Sequence, residues 1–482
     1  MRRSMILVAL AMASCTSAWD TLRDRSRQCT GTRRDCDQNP ANGCEVETAT
    51  DRLHCGDCST QAAVACTGGK SLELRSIAGA GATQCVSLRG DGTHSLRCWG
   101  SNTRNQVTSA NAGPIATPTD PDPDDTGEVH ALGVGDGFGC AIRGEVRELR
   151  CWGSAVTLPM LGATERLLSL RALAVGARHA CVAAARAATD DNVIRCFGDN
   201  DRAQLGGPLN AMNIASVQTA DGALFTLRTI AGLAAGASHS CAFDAQSVWC
   251  WGANEQGQLG RRPLPGSPAV AAAPVQMPSS VRVIDVAAGG DSTCAVVSEA
   301  PVSSDAGAEA GTDASIEASA PSDASCAAAT GTLRATVLCW GALAGADRCA
   351  PTPTAVRRMD GGTLDDVARV YVGSTHACAI TNGAEVFCWG QGGESRFTDV
   401  AAPGVMTATR IAALRGAREL SITGAANVLP PSARAAGRES FCALLGTGST
   451  SAVKCWGPND NAQLGDSARG IGVVSSPSDV RW

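Results

Sequence analysis

Residues 234–260 read AAGASHSCAFDAQSVWCWGANEQGQLG. Small residues lead to Gly236, two cysteines follow at Cys241 and Cys250, and the segment closes on Gln258-Leu259-Gly260. Between the cysteines, Ala245-Gln246 offers a two-residue turn. That turn sets Asp244 opposite Ser247, and hence Cys241 opposite Cys250 in a non-hydrogen-bonded pair, the register with the closest side chains. Its expected Cα separation of about 4.5 Å lies in the range a disulfide spans.

The pattern recurs. Cys-Trp-Gly starts at Cys98, Cys151, Cys250, Cys339, Cys388 and Cys455, and Cys-Phe-Gly starts at Cys196. The chain has 9 Trp, 7 Phe and 1 Tyr, yet this single slot takes Trp99, Trp152, Phe197, Trp251, Trp340, Trp389 and Trp456. One aromatic packing position per repeat is the expectation. Each copy has an upstream partner: Cys85, Cys140, Cys181, Cys241, Cys294, Cys378 and Cys442. The expected bridges are Cys85–Cys98, Cys140–Cys151, Cys181–Cys196, Cys241–Cys250, Cys294–Cys339, Cys378–Cys388 and Cys442–Cys455. Five residues before the upstream cysteine stand Gly135, Gly176, Gly236, Gly289, Gly373 and Gly437, and two before it His179, His239 and His376. Seven before it, the slot of Ala78, Gly133, Ala174, Ala234, Ala287 and Ala435 holds the chain's single tyrosine, Tyr371. After the second cysteine, Asn102, Asn200, Asn254 and Asn459 recur, then Gln106, Gln204, Gln258 and Gln463.

Apolar runs are short, bounded by Gly, Pro and Asn, and show no helical period, which indicates strands. Successive second cysteines lie 53, 45, 54, 89, 49 and 67 residues apart. The interval of 89 holds a Ser/Ala/Asp/Glu-rich stretch at about 300–330, which reads as a disordered insertion. Seven repeats of about 50–60 residues imply blades around an axis. Residues 76–482 resemble the regulator of chromosome condensation repeat family, through the Gly-x-x-His-x-Cys-Ala and Cys-Trp-Gly-x-Asn-x-x-x-Gln-Leu-Gly segments quoted above. The resemblance implies a seven-bladed β-propeller, placed at 74–482. The copies at Cys151 and Cys339 are degenerate after Cys-Trp-Gly, which puts their outer strands in question. The final Ser476-Pro477-Ser478-Asp479-Val480-Arg481-Trp482 is expected to complete a blade with the first repeat and so close the ring.

The chain starts with Met1-Arg2-Arg3 and an apolar run from Met5 to Ala13, the length of a signal-peptide h-region. Met12-Ala13-Ser14-Cys15 resembles the bacterial lipoprotein cleavage box, with Met12 where that box usually has Leu. The expected map is a signal peptide at 1–14, lipidation at Cys15, a linker at 15–28 and a cysteine-rich module at 29–70. The module holds Cys29, Cys36, Cys44, Cys55, Cys58 and Cys66 among turn formers, so bridges rather than a core hold it, with connectivity open. It resembles modules found after the signal peptide in bacterial surface proteins. Zinc at Cys55, Cys58 and Cys66 is disfavoured in an exported chain. Calcium at Asp35, Asp37 and Asn39 is disfavoured by Pro40 and Val46 at the glycine and glutamate positions of a calcium loop. The 23 cysteines then divide cleanly. With Cys15 lipidated, Cys326 and Cys349 remain, either to bridge each other or to exchange with Cys294 and Cys339.

The net charge is −6, and Lys70 and Lys454 are the only lysines, so a nucleic-acid partner is not expected. No phosphate loop, dinucleotide fingerprint, Gly-x-Ser-x-Gly or His-Glu-x-x-His occurs. The three histidines sit in different blades and read as structural, and Tyr371 reads as packing or as a contact in the central channel. The irregular stretches 103–128, 205–228 and 391–434 are taken as variable loops. The reading is a non-enzymatic, monomeric, cofactor-free protein-binding scaffold of the bacterial envelope or exterior. It meets the membrane only through its lipid, binds an unidentified protein on one propeller face, and inhibits a secreted hydrolase as a special case. The alternative is a glycan-binding or carbohydrate-active propeller; guanine-nucleotide exchange, the family's best-known role, conflicts with export.

Overall fold

A computed structural model describes residues 29, 31–37, 44–49, 51–59, 62, 65–67, 70–90, 93–109, 113–122, 127–154, 167–186, 191–209, 214–262, 269–299, 334–344, 352–390, 406–423, 439–447, 450–466, 472–480 and 482. Cys15, Cys326 and Cys349 lie outside them, so the lipidation and the Cys326–Cys349 bridge do too.

The chain forms a seven-bladed, all-β propeller. Each blade begins with an inner strand: Lys70–Ala80, Val129–Gly135, Leu167–Val175, Gly232–Ala235, Val281–Gly289, Val367–Val372 and Ala417–Thr423. Antiparallel strands follow outward in chain order, with two additions: Arg357–Arg358 pairs parallel with Thr407–Arg410 at the edge of the sixth blade, and Ala65–Thr67 pairs with the start of the first inner strand. In the fourth blade these are His239–Phe243, Val248–Gly252 and Ala269–Pro274. The second blade has three strands among the described residues, and the fifth ends in the two-residue Thr354–Ala355, as the degenerate sequence there leads one to expect. All three stretches read as loops contain strands: Ile115–Thr119 in the first blade, Ile214–Ser216 and Thr226–Leu227 in the third, and Thr407–Arg410 and Ala417–Thr423 within 391–434.

The central hairpin forms as its sequence dictates. Asp244 N–H donates to the Ser247 carbonyl across the turn, and the Cα atoms of Cys241 and Cys250 stand 4.1 Å apart. All seven cysteine pairs of the blades are bridged at Cα separations of 4.0 to 4.1 Å. In the module, Cys29 joins Cys44, Cys36 joins Cys58 and Cys55 joins Cys66. Cys55 and Cys66 are thus joined to each other and Cys58 to Cys36, so all three sulfurs sit in bridges.

Two expectations need correction. The slot of Ala435 in the seventh blade belongs to Ser421, which pairs with Cys442 as Ala78 pairs with Cys85. Sequence spacing counted back from Cys442 misses this strand because residues 424–438 intervene before Ser440–Leu445. Ring closure also differs. Val473–Asp479 pairs with Ala452–Pro458 of its own blade, Asp479 facing Lys454, rather than with the first repeat. The ring closes by packing: Leu72, Leu74, Val86 and Trp99 of the first blade share a core with Leu444, Val453 and Leu464 of the seventh. Trp482 meets Trp99 edge-on, ring centroids 6.0 Å apart.

The glycine of Cys-Trp-Gly is forced. Gly252 has φ +104°, and a Cβ there would lie 2.6 Å from the Ser238 carbonyl oxygen. Gly252→Ala should cost at least about 2 kcal/mol from strain and clash together. Chemical denaturation reads that loss as a lower unfolding midpoint.

Candidate functional site

The repeated polar residues work on the seams between blades. Trp99 Nε1 donates to the Gln463 carbonyl, Trp152 to Gln106, Trp251 to Gln204 and Trp340 to Gln258, at 2.9 to 3.0 Å. Each of these indoles therefore reaches the glutamine loop of the preceding blade, Gln-Leu-Gly in three cases and Gln106-Val107-Thr108 for Trp152. Three copies, those at Cys151, Cys339 and Cys388, lack that glutamine, and after the first two of them the next aromatic makes no such bond. After the Cys151 copy the slot holds Phe197, which has nothing to donate. After the Cys339 copy, Trp389 Nε1 is buried without a partner. Six of the seven aromatics are buried; Trp152, in the three-stranded blade, is half-buried.

Asparagine and glutamine hold the loops after the third strand. Asn254 Oδ1 accepts from Leu259 N–H at 3.0 Å, and Gln258 Oε1 accepts from Gln256 N–H at 2.9 Å. Asn102 with Gln106, Asn200 with Gln204 and Asn459 with Gln463 repeat the arrangement.

Histidine bridges two seams in the same way. Ser240 Oγ donates to the Gln204 carbonyl and so accepts from His179 Nε2 at 2.8 Å. Thr293 Oγ1 donates to Gln258 and accepts from His239 Nε2 at 2.9 Å. Both Nδ1 atoms are buried without partners, so protonating either ring would bury an unmatched N–H. Burial holds both imidazoles down to about 3, and they are neutral. His376 instead bonds the Glu439 carboxylate at 2.5 Å through Nδ1, across the seam between the sixth and seventh blades.

The inner strands enclose an axial channel of about 250 Å³, lined by Ala78, Gly133, Ala174, Ala234, Ala287 and Tyr371. Tyr371 packs against the core between the sixth and seventh blades, beside Leu420 and Ile422. Its phenol lies beside the Arg369 guanidinium, and burial pushes its pKa up. Two residues nearer the start of the inner strands, three successive blades carry Asp285, Arg369 and Glu419. Asp285 Oδ2 accepts from Val370 N–H at 3.0 Å and Glu419 Oε2 from Ile77 N–H at 3.1 Å, each reaching the next blade. Burial lifts Asp285 above the usual carboxylate range and Glu419 to about 7. Sequence reading missed this trio because the slot is small in the third and fourth blades, Ala172 and Gly232. The module gathers Asp35, Asp37 and Glu45 within 4.8 Å, with Glu45 Oε1 accepting from Cys36 N–H at 2.7 Å; Asn39 lies outside the described residues.

Comparison with known proteins follows this geometry. A profile of the regulator of chromosome condensation repeat matches residues 247–296, and a second profile of that repeat matches 230–258 and 367–395. Among solved structures, Prp20p from Saccharomyces cerevisiae, described with its binding to Gsp1p and histones, is 16% identical at a TM-score of 0.49, over 73% of this chain and 80% of that one. Human WBSCR16 is 16% identical at 0.46, over 85% and 82%. The CRINKLY WD40 ectodomain of the Arabidopsis thaliana receptor kinase ACR4 is 18% identical at 0.42, over 80% and 96%. No curated protein sequence matches significantly.

Proposed function

We infer, from a chain that carries regulator of chromosome condensation repeats on a seven-bladed β-propeller, that it is a non-enzymatic scaffold that binds another protein in an oxidising compartment. The observation that carries this reading is where the chemistry has gone. The repeated Trp, His, Asn and Gln side chains are engaged in seams and loop supports, so reactive groups are committed to rigidity. What varies between blades is the loops, and loops on a rigid frame are where recognition resides. Ten bridges among the described residues suit an extracellular or envelope setting. Attachment through a lipid on Cys15 and inhibition of a secreted hydrolase are finer proposals within this reading. Mass spectrometry of the mature N-terminus tests the first, and an unmodified N-terminus at another residue rejects it.

Affinity capture from the native envelope, with the soluble propeller as bait, should recover one stoichiometric protein. A bait that recovers no protein but binds a glycan array would reject the scaffold reading in favour of a glycan binder.

A further inference from the structure

One position of the inner strands departs from regular pairing in blade after blade. The ladder slips between Leu74 and Ser76, Val129 and Ala131, Leu170 and Ala172, Val283 and Asp285, Val367 and Arg369, and Ala417 and Glu419. In the fourth blade Ala231 N–H donates to the Phe243 carbonyl while Gly232 is the register partner of Phe243, so the same extra residue is present. A β-bulge takes one residue out of the ladder and re-aims its side chain. The seven re-aimed residues are Arg75, His130, Arg171, Ala231, Ile284, Ala368 and Arg418.

Each of these residues stands three before a channel-lining residue, Ala78, Gly133, Ala174, Ala234, Ala287, Tyr371 or Ser421, toward one mouth of the channel. Because the seventh blade packs on the first, Arg418, Arg75, His130 and Arg171 are consecutive around the ring. In a chain of net charge −6, four adjacent blades place a basic group in one slot. Arg75, His130 and Arg171 are exposed. Arg89 and His94 extend the arc outward, and with Arg75 and Glu128 they line a cavity of about 110 Å³. The acidic groups beside the arc are Glu128, paired with Arg89 at 3.0 Å, Glu73, and Glu419, whose carboxylate is taken up by Ile77. Arg418 Nη2 donates to the Leu74 carbonyl at 3.2 Å, and His130 Nε2 lies 3.0 Å from the Gly144 carbonyl oxygen. Across the mouth the character changes: Ala231, Ile284 and Ala368 are apolar, with Ile284 40% exposed.

We propose that this mouth docks an acidic segment of a partner polypeptide, its carboxylates on the Arg418–Arg75–His130–Arg171 arc and an apolar side chain over Ile284. The proposal rests on the protein-binding reading and adds to it the face and the partner's chemistry. Guanidinium groups match carboxylates in two-pronged geometry, which an ammonium does not. The apolar half favours a polypeptide over an acidic polysaccharide, which has no hydrophobic group to cover Ile284.

The test is fluorescence anisotropy of the full chain with a labelled peptide of alternating glutamate and leucine. Saturable binding is expected, weakening steeply with salt. Arg75→Gln/Arg171→Gln should weaken it about tenfold with the thermal midpoint unchanged, since both side chains are exposed. Ile284→Ser should weaken this peptide but not one of alternating glutamate and serine. Absence of binding, or equal affinity in the arginine variant, overturns the proposal. So does stronger, arginine-dependent binding of polygalacturonate. If the envelope partner is still captured by the arginine variant, the face assignment falls while the scaffold reading stands.

Discussion

Lowering the pH from 7 to 4 should destabilise the propeller by about 3 kcal/mol for each of His179 and His239. Both rings are neutral in the fold, held down to about 3, whereas the unfolded chain takes up their protons near the ordinary value of 6.5. Below pH 6.5 the unfolded state therefore binds protons that the native state does not. Their contribution is fully present above 6.5 and is lost as the pH falls toward 3. Glu419 acts in the opposite sense. Lifted to about 7, it is protonated in the fold at pH values where the unfolded carboxyl is ionised, so it offsets part of the acid loss. Urea midpoints measured from pH 7.5 to 4 check the sum. His179→Gln/His239→Gln keeps a neutral donor toward Ser240 and Thr293 and should flatten the profile, while Glu419→Gln should steepen it. An unchanged profile in the histidine pair would show that the seams are not the acid-sensitive element.

Removing the Cys294–Cys339 bridge should cost more than removing any other blade bridge. It closes 45 residues, against 9 for Cys241–Cys250. On the chain-entropy view these correspond to about 4 and about 2.5 kcal/mol. The spread arises in the unfolded state, because the two bridges have the same Cα separation of 4.1 Å in the fold. Cys294→Ala/Cys339→Ala and Cys241→Ala/Cys250→Ala leave similar cavities, so the difference between their urea midpoints isolates loop length. Equal losses would place the effect of the bridges in native packing instead.

The architecture was legible because one hairpin, 241–250, fixes its own register and recurs. The turn, the opposed cysteines and the following aromatic each depend on neighbours within a few residues. What was not legible is nonlocal. Ser421 rather than Ala435 fills the seventh inner slot because a strand can stand far upstream of its hairpin, and spacing alone does not reveal the gap. The partner of four of the indoles is a backbone carbonyl one blade away, as Gln258 is for Trp340. Sequence shows the glutamine but not which atom of it is used. The basic mouth was hidden for a related reason: Arg75, His130 and Arg171 share no flanking motif, only an extra place in the ladder. Tyr371 lines the channel and packs on the blade beside it.

Closure by packing has a consequence for how such a ring changes over generations. Every blade here is one uninterrupted length of chain, from Lys70–Ala80 through Ile115–Thr119 in the first to Ala417–Thr423 through Val473–Asp479 in the last. A ring whose blades are each continuous can gain or lose one as a single stretch of sequence, and termini reopened between blades would keep every ladder only if Trp482 were joined ahead of Ala65–Thr67, which pairs with Lys70–Leu72.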